Sequence, residues 1–217
     1  MTTSDSLYLA HHFDDREQQR EAMTLGMWVF LVTEIMFFGG MFLAYAVYRW
    51  RFPEGFAEGS KHLDMILGTV NTGLLLVSSF TVALAVHAAQ SSRGKAVAWL
   101  FGITILFGLA FLGIKGYEYW HKFHEHLVPG PHFRLLDPHN PQVDSRQVEI
   151  FLSLYFAMTG LHAIHMMIGI GVFVVMIVLA WRGRFSSEHY APVEVVGLYW
   201  HFVDIVWVFL YPLLYLI

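Results

Sequence analysis

The chain has no cysteine among its 217 residues. That excludes disulfides, thiolate-held zinc, iron-sulfur clusters and thioether-attached haem, and any metal would need histidine or carboxylate ligands. Charge is scarce too: Asp, Glu, Lys and Arg make up 14% of the residues, where a soluble domain carries roughly a quarter. With a formal net charge of -4 and its basic residues scattered, the chain gives no electrostatic footprint for nucleic acid. The opening stretch MTTSDSLYLAHHFDDREQQREAM is polar and acidic, with no basic region ahead of an apolar run. No cleaved signal peptide is therefore expected, and the first apolar span is expected to insert and stay in the protein.

What is abundant is apolar surface: 56% of the residues are hydrophobic and 17% aromatic. One water-exposed domain of this size has no interior large enough to hide that much, so lipid is the second solvent. A helix needs about 20 apolar residues to cross the hydrocarbon core. Five stretches qualify, at about 23–48, 65–89, 96–116, 150–181 and 193–217. None alternates with the period of a barrel strand, and each is about twice a barrel strand's length. The expected fold is all-α, an integral membrane bundle of five transmembrane helices over 23–217 behind a polar segment, 1–22.

The connections at Ser91–Gly94 and Arg182–Arg184 are short, which makes their flanking helices antiparallel. Between the third and fourth spans, Pro129, Gly130, Pro131, Pro138, Asn140 and Pro141 predict an irregular loop over about 117–149. Arg93, Lys95, Arg182 and Arg184 crowd the short loops on the N-terminal side. The positive-inside rule then places the N-terminus in the cytoplasm, with the C-terminus and the long loop outside. No internal repeat is visible, which argues against a duplicated transporter architecture.

Ionisable groups at mid-membrane are costly unless protein neighbours receive them. Here they are Glu34, His162, His165, His201 and Asp204. His162 and His165 are three residues apart, as are His201 and Asp204, so each pair is expected on one helix face. The plainest reading is interhelical hydrogen bonding that fixes the packing. Haem or metal ligation by the histidines is a second reading, and a proton-handling contact for Glu34 a third. Lys115 and Glu118 are expected to snorkel to the interface from the end of the third span. His121, His124, His126, His132 and His139 are expected in a solvated loop and not around a metal. Trp28, Trp50, Trp120 and Trp200 are expected to anchor at the headgroups. The pairs Gly40 and Ala44, Ser79 and Ala83, and Ala85 and Ala89 offer close helix contact.

The closing stretch YWHFVDIVWVFLYPLLYLI, 199–217, resembles the last helix of cytochrome c oxidase subunit III. Four further stretches agree in order: LVTEIMFFGGMF on Glu34, NTGLLLVSSFTVALAVHA on Asn71 and His87, GYEYW on Glu118, and TGLHAIHMMIG on His162 and His165. The resemblance covers all five spans. It implies a non-redox core subunit of a haem-copper terminal oxidase that reduces dioxygen to water and pumps protons. On that reading Glu34 lies at the contact with the catalytic subunit, and His162, His165, His201 and Asp204 form an intramembrane polar cluster. Asn71, His87 and Glu118 are the other polar positions of the family.

The resemblance further implies no cofactor in this chain, haem and copper in partner subunits, subunit I as the direct contact, subunit II and further subunits in the complex, bound phospholipid, and support of the catalytic subunit's stability and proton uptake. The two extra N-terminal helices of the mitochondrial form have no counterpart here, so the five-helix form of bacterial plasma membranes is expected. Two alternatives stay open: an accessory protein of nitric oxide reductase with the same helices, and a b-type membrane cytochrome using the histidines itself.

Overall fold

The computed structural model describes residues 13, 15–131, 133, 143–185 and 189–217. They form six helices: α1 (Arg16–Arg51), α2 (Pro53–Lys61), α3 (Met65–Gln90), α4 (Gly94–His124), α5 (Ser145–Trp181) and α6 (Ala191–Tyr215). All but α2 are long and apolar enough to cross a membrane, which makes the chain a multi-pass membrane bundle.

Local chemistry sets the helix starts. Asp15, Asp64 and Asp144 each accept backbone N–H bonds from the first turn of α1, α3 and α5, satisfying donors that a helix start leaves unpaired. Proline occupies the first turn of α2 and α6, where its missing N–H costs nothing. After α5 the chain turns through Gly183 at φ 70°, a left-handed conformation that glycine adopts without strain.

α3, α4, α5 and α6 close a ring in which each helix packs on the next, and α1 lies outside it along the seam of α5 and α6. α3 and α4 are an antiparallel hairpin joined midway by Thr81 and Thr104, whose hydroxyls are 2.7 Å apart. The interior is aromatic: Trp200, Trp207, Tyr155, Phe101, Phe111 and Phe173 are fully buried. Helices close on these rings where glycine removes a side chain. A Cβ on Gly169 would sit 2.8 Å from the Trp200 ring, and one on Gly59 2.3 Å from Phe151.

Several expectations are corrected. α4 continues through His124, so the first part of the expected 117–149 loop is helix. His121 and His124 lie on that last turn, where His121 Nε2 meets Glu125 Oε1 at 3.1 Å and His124 Nδ1 donates to the Trp120 carbonyl. His132 and His139 fall outside the described residues. α1 begins at Arg16, inside the segment read as a polar 1–22 lead.

α2 is a further element, seated on the end of α5 with Phe56 wedged between Tyr45 and Phe151. Trp200 is no headgroup anchor, because it fills the gap beside Gly169 and Gly108 and donates Nε1–H to Ser78 Oγ at 3.1 Å. Gly40 meets nothing within 4 Å, whereas Ala85 and Ala89 do lie in the core.

Candidate functional site

The polar groups inside the spans fall into three sets at different positions in the bundle. One is at the outer seam. Glu34 of α1 meets His165 of α5, with Oε2 3.0 Å from Nε2 and side chains 17% and 14% exposed. His165 Nδ1 is 2.8 Å from the Leu161 carbonyl, which only accepts, so Nδ1 carries a proton. Nε2 then either donates to a Glu34 carboxylate or accepts from a Glu34 carboxyl, and both arrangements leave the pair without net charge. That neutrality is what makes a lone carboxylate tolerable at this depth. From α6, Tyr199 OH donates to the His165 backbone carbonyl at 2.8 Å, and from α1 Phe38 packs against the imidazole.

A second set lies inside the ring near the α2 end. Lys115 Nζ donates to Glu118 Oε2 at 2.7 Å, to Tyr215 OH at 2.7 Å and to Tyr155 OH at 3.1 Å, using all three of its protons. Tyr215 OH returns a hydrogen bond to Glu118 Oε1 at 2.9 Å. The ammonium also faces the rings of Trp207, Tyr155 and Tyr215 at 5.0–5.3 Å. Lys115 and Glu118 are buried, which corrects the snorkelling expectation. A snorkelling side chain needs a helix end at the headgroups, but α4 runs two further turns and holds both groups in the interior.

The third set is at mid-bundle. His201 Nδ1 is 2.6 Å from Ser79 Oγ, and the same hydroxyl faces Asp204. His162 is sandwiched between Phe111 and Trp207, with ring centroids 5.4 and 5.2 Å away. Asn71 is completely buried on α3. His87 is exposed near the end of α3.

His162, His165, His201 and Asp204 therefore do not bond one another as a single cluster. Three residues advance a helix by about 300°. That offset turns His162 into the ring while His165 looks out to α1, whereas His201 and Asp204 on α6 both face Ser79. Among the described residues, no three His, Asp or Glu side chains converge in a way that could hold a metal ion.

A family model described as cytochrome c oxidase subunit III matches residues 145–217, which contain α5 and α6 with all four of these side chains. Cytochrome c oxidase subunit 3 of Corynebacterium diphtheriae is 32% identical over 203 residues, 90% of this chain and 88% of its own length. Its counterpart in Synechocystis is 32% identical over 196 residues, 88% of this chain and 74% of that one. The chain belongs to the cytochrome c oxidase subunit III family. The same subunit III pattern extends to the cytochrome bo(3) ubiquinol oxidase subunit 3 of Pseudomonas aeruginosa, 29% identical over 214 residues, 98% of this chain and 93% of its own. As a haem-copper oxidase subunit III, the chain is a component of a multi-subunit oxidase.

Sequence reasoning did not single out the partners Tyr155, Tyr199 and Tyr215, and it read Ser79 only as a small packing residue. Their signal was present as hydroxyl groups inside apolar runs, each needing a partner away from water.

Proposed function

We propose that this chain is the non-redox core subunit of a terminal oxidase in a bacterial plasma membrane, and that it packs on the catalytic subunit through the α1 side of the bundle, sustaining that subunit's stability and proton uptake. The carrying observation is the Glu34–His165 pair. It is fixed by three helices on its inner side yet keeps residual exposure at the bundle's edge. Around it, Trp28, Val32, Ile35, Met36, Phe37 and Leu43 leave an exposed apolar face on α1. A second transmembrane subunit would finish the burial of the pair, and lipid chains would not supply its remaining polar contacts.

Haem and copper belong to partner subunits on this reading, subunit I in direct contact, with phospholipid along the remaining apolar faces. The N-terminus is cytoplasmic: the α1 start shares its end of the bundle with Arg93, Lys95, Arg182 and Arg184, all in short connections.

The test is mild detergent extraction, followed by identification of the copurifying subunits and their absorption spectrum. The expected result is a haem- and copper-containing oxidase core retaining this chain, while the chain purified alone shows no Soret band. A copper-free nitric oxide reductase as companion would move the chain to the accessory role in that complex. A Soret band in the isolated chain would make it a b-type cytochrome.

A further inference from the structure

The six side-chain nitrogen and oxygen atoms of Asn71, His162 and Asp204 are buried and have no hydrogen-bond partner among the described residues. They lie on three different helices of the ring, and each occupies its helix's inward stripe. On α3 the stripe is Gly68, Asn71, Leu75 and Ser78; on α5 it is Tyr155, His162, Met166 and Gly169; on α6 it is Trp200, Asp204, Trp207 and Leu214.

Asn71 and His162 share one level, and Asp204 lies a turn away toward Ser79, whose hydroxyl it faces. Trp207 packs on His162 and donates Nε1–H to Thr72, the neighbour of Asn71, at 3.1 Å. Asp204 is one helical turn from Trp207 on α6. Across the hairpin, the Thr81–Thr104 bond sets Asn71 opposite Ile114, next to Lys115. The orphaned groups thus stand between two completed networks: Lys115 with Glu118, Tyr155 and Tyr215 on one side, and Ser79 with His201 on the other.

An amide, an imidazole and a carboxyl group buried inside a membrane bundle are too costly to stay unbonded, because hydrocarbon offers no alternative partner. Three polar residues of mixed donor and acceptor character suit a small neutral molecule that both donates and accepts. A buried water makes about three hydrogen bonds, so six atoms call for roughly two waters. A metal ion is a poorer match, since among the described residues no third anionic or imidazole ligand joins His162 and Asp204, and the Lys115 ammonium is close.

We propose that Asn71, His162 and Asp204 enclose a buried water-binding site, whose waters carry hydrogen bonds from the Lys115–Glu118 network to Ser79 and His201 and make one polar column along the bundle axis. The site is internal to this chain, so it stands or falls independently of the partner proposed for α1.

The decisive measurement is a density map of the unmodified protein, extracted with whatever partners it retains, at a resolution that reveals ordered water. Solvent peaks within hydrogen-bond distance of at least two of the three side chains are expected. Direct bonding among the three with no peak between them, or a peak with the coordination of a metal ion, would overturn the proposal. Thermal melting of Asn71→Leu, Asp204→Leu and the double variant provides a second reading. Each single substitution deprives the shared waters of a partner and lowers the Tm, and the double loses less than the two drops combined. Losses that simply add would mean the groups share nothing, and the proposal fails.

Discussion

α1 and α6 are both apolar spans of similar purpose, yet half of the most apolar window of α6 is buried against 17% for α1. Their ionisable groups follow the same division. The interior network that α6 helps to build, through Tyr215 on Lys115 and Glu118, uses all three Lys115 protons and the Tyr215 hydroxyl and has almost no exposure. The α1 network, Glu34 on His165, is a single bond with residual exposure. A charge pair deep in the ring is committed to holding three helices, α4, α5 and α6, together. One at the rim is available to a neighbour, and the difference follows from where each helix sits.

The sharpest way to break this contrast is Lys115→Met. It strands the Glu118 carboxylate in a low-dielectric interior, a loss of about 3–5 kcal/mol for a buried pair. Little folded protein is expected in the membrane, measured as yield and as melting after extraction. Adding Glu118→Gln removes the stranded charge and restores part of the loss. If Lys115→Met melts like the parent, the interior network is not structural.

Next in size is Gly169→Val. The new side chain drives into the Trp200 ring, and overpacking of this kind costs about 1–3 kcal/mol. At Gly40 on α1 an added Cβ meets nothing within 4 Å, so Gly40→Val is expected to cost the isolated chain less than Gly169→Val. Equal losses at both glycines would erase the distinction between core and rim.

The spans were legible because length and apolarity alone decide what crosses a membrane, and Glu34, His162, His165, His201 and Asp204 stood out as groups lipid does not accept. Which of them meet was not legible. His162 and His165 differ by about 60° of helix azimuth, and only the position of α1 decides that one faces inward and the other the seam. Trp200 was misplaced for a related reason: tryptophan near a span end suits headgroups as well as it suits a gap opposite glycine, and Gly169 and Gly108 come from other helices. The continuation of α4 to His124 escaped notice because its last turns carry Lys122, His121 and His124, polar residues that a hydropathy window reads as loop.

The rim is tested by smaller changes. Glu34→Gln keeps a group able to bond His165 Nε2 and removes only the capacity to ionise, so the isolated chain loses about 1 kcal/mol or less, as for a partly exposed pair. Retention of the oxidase core during purification falls by more than this melting shift implies if α1 faces the catalytic subunit. Unchanged retention would send the docking face elsewhere.

The smallest effect is expected at His87, a polar position of the family that the fold leaves exposed near the α3 terminus. Its side chain faces away from the ring, so His87→Ala should stay within about 0.5 kcal/mol of the parent, as exposed substitutions generally do. Melting of the isolated chain and of the retained complex separates the remaining cases. A drop confined to the complex would make His87 a second contact with another subunit, on the end of the bundle opposite α2. A drop in the isolated chain would mean that the terminal turn of α3 bears load that its exposure conceals.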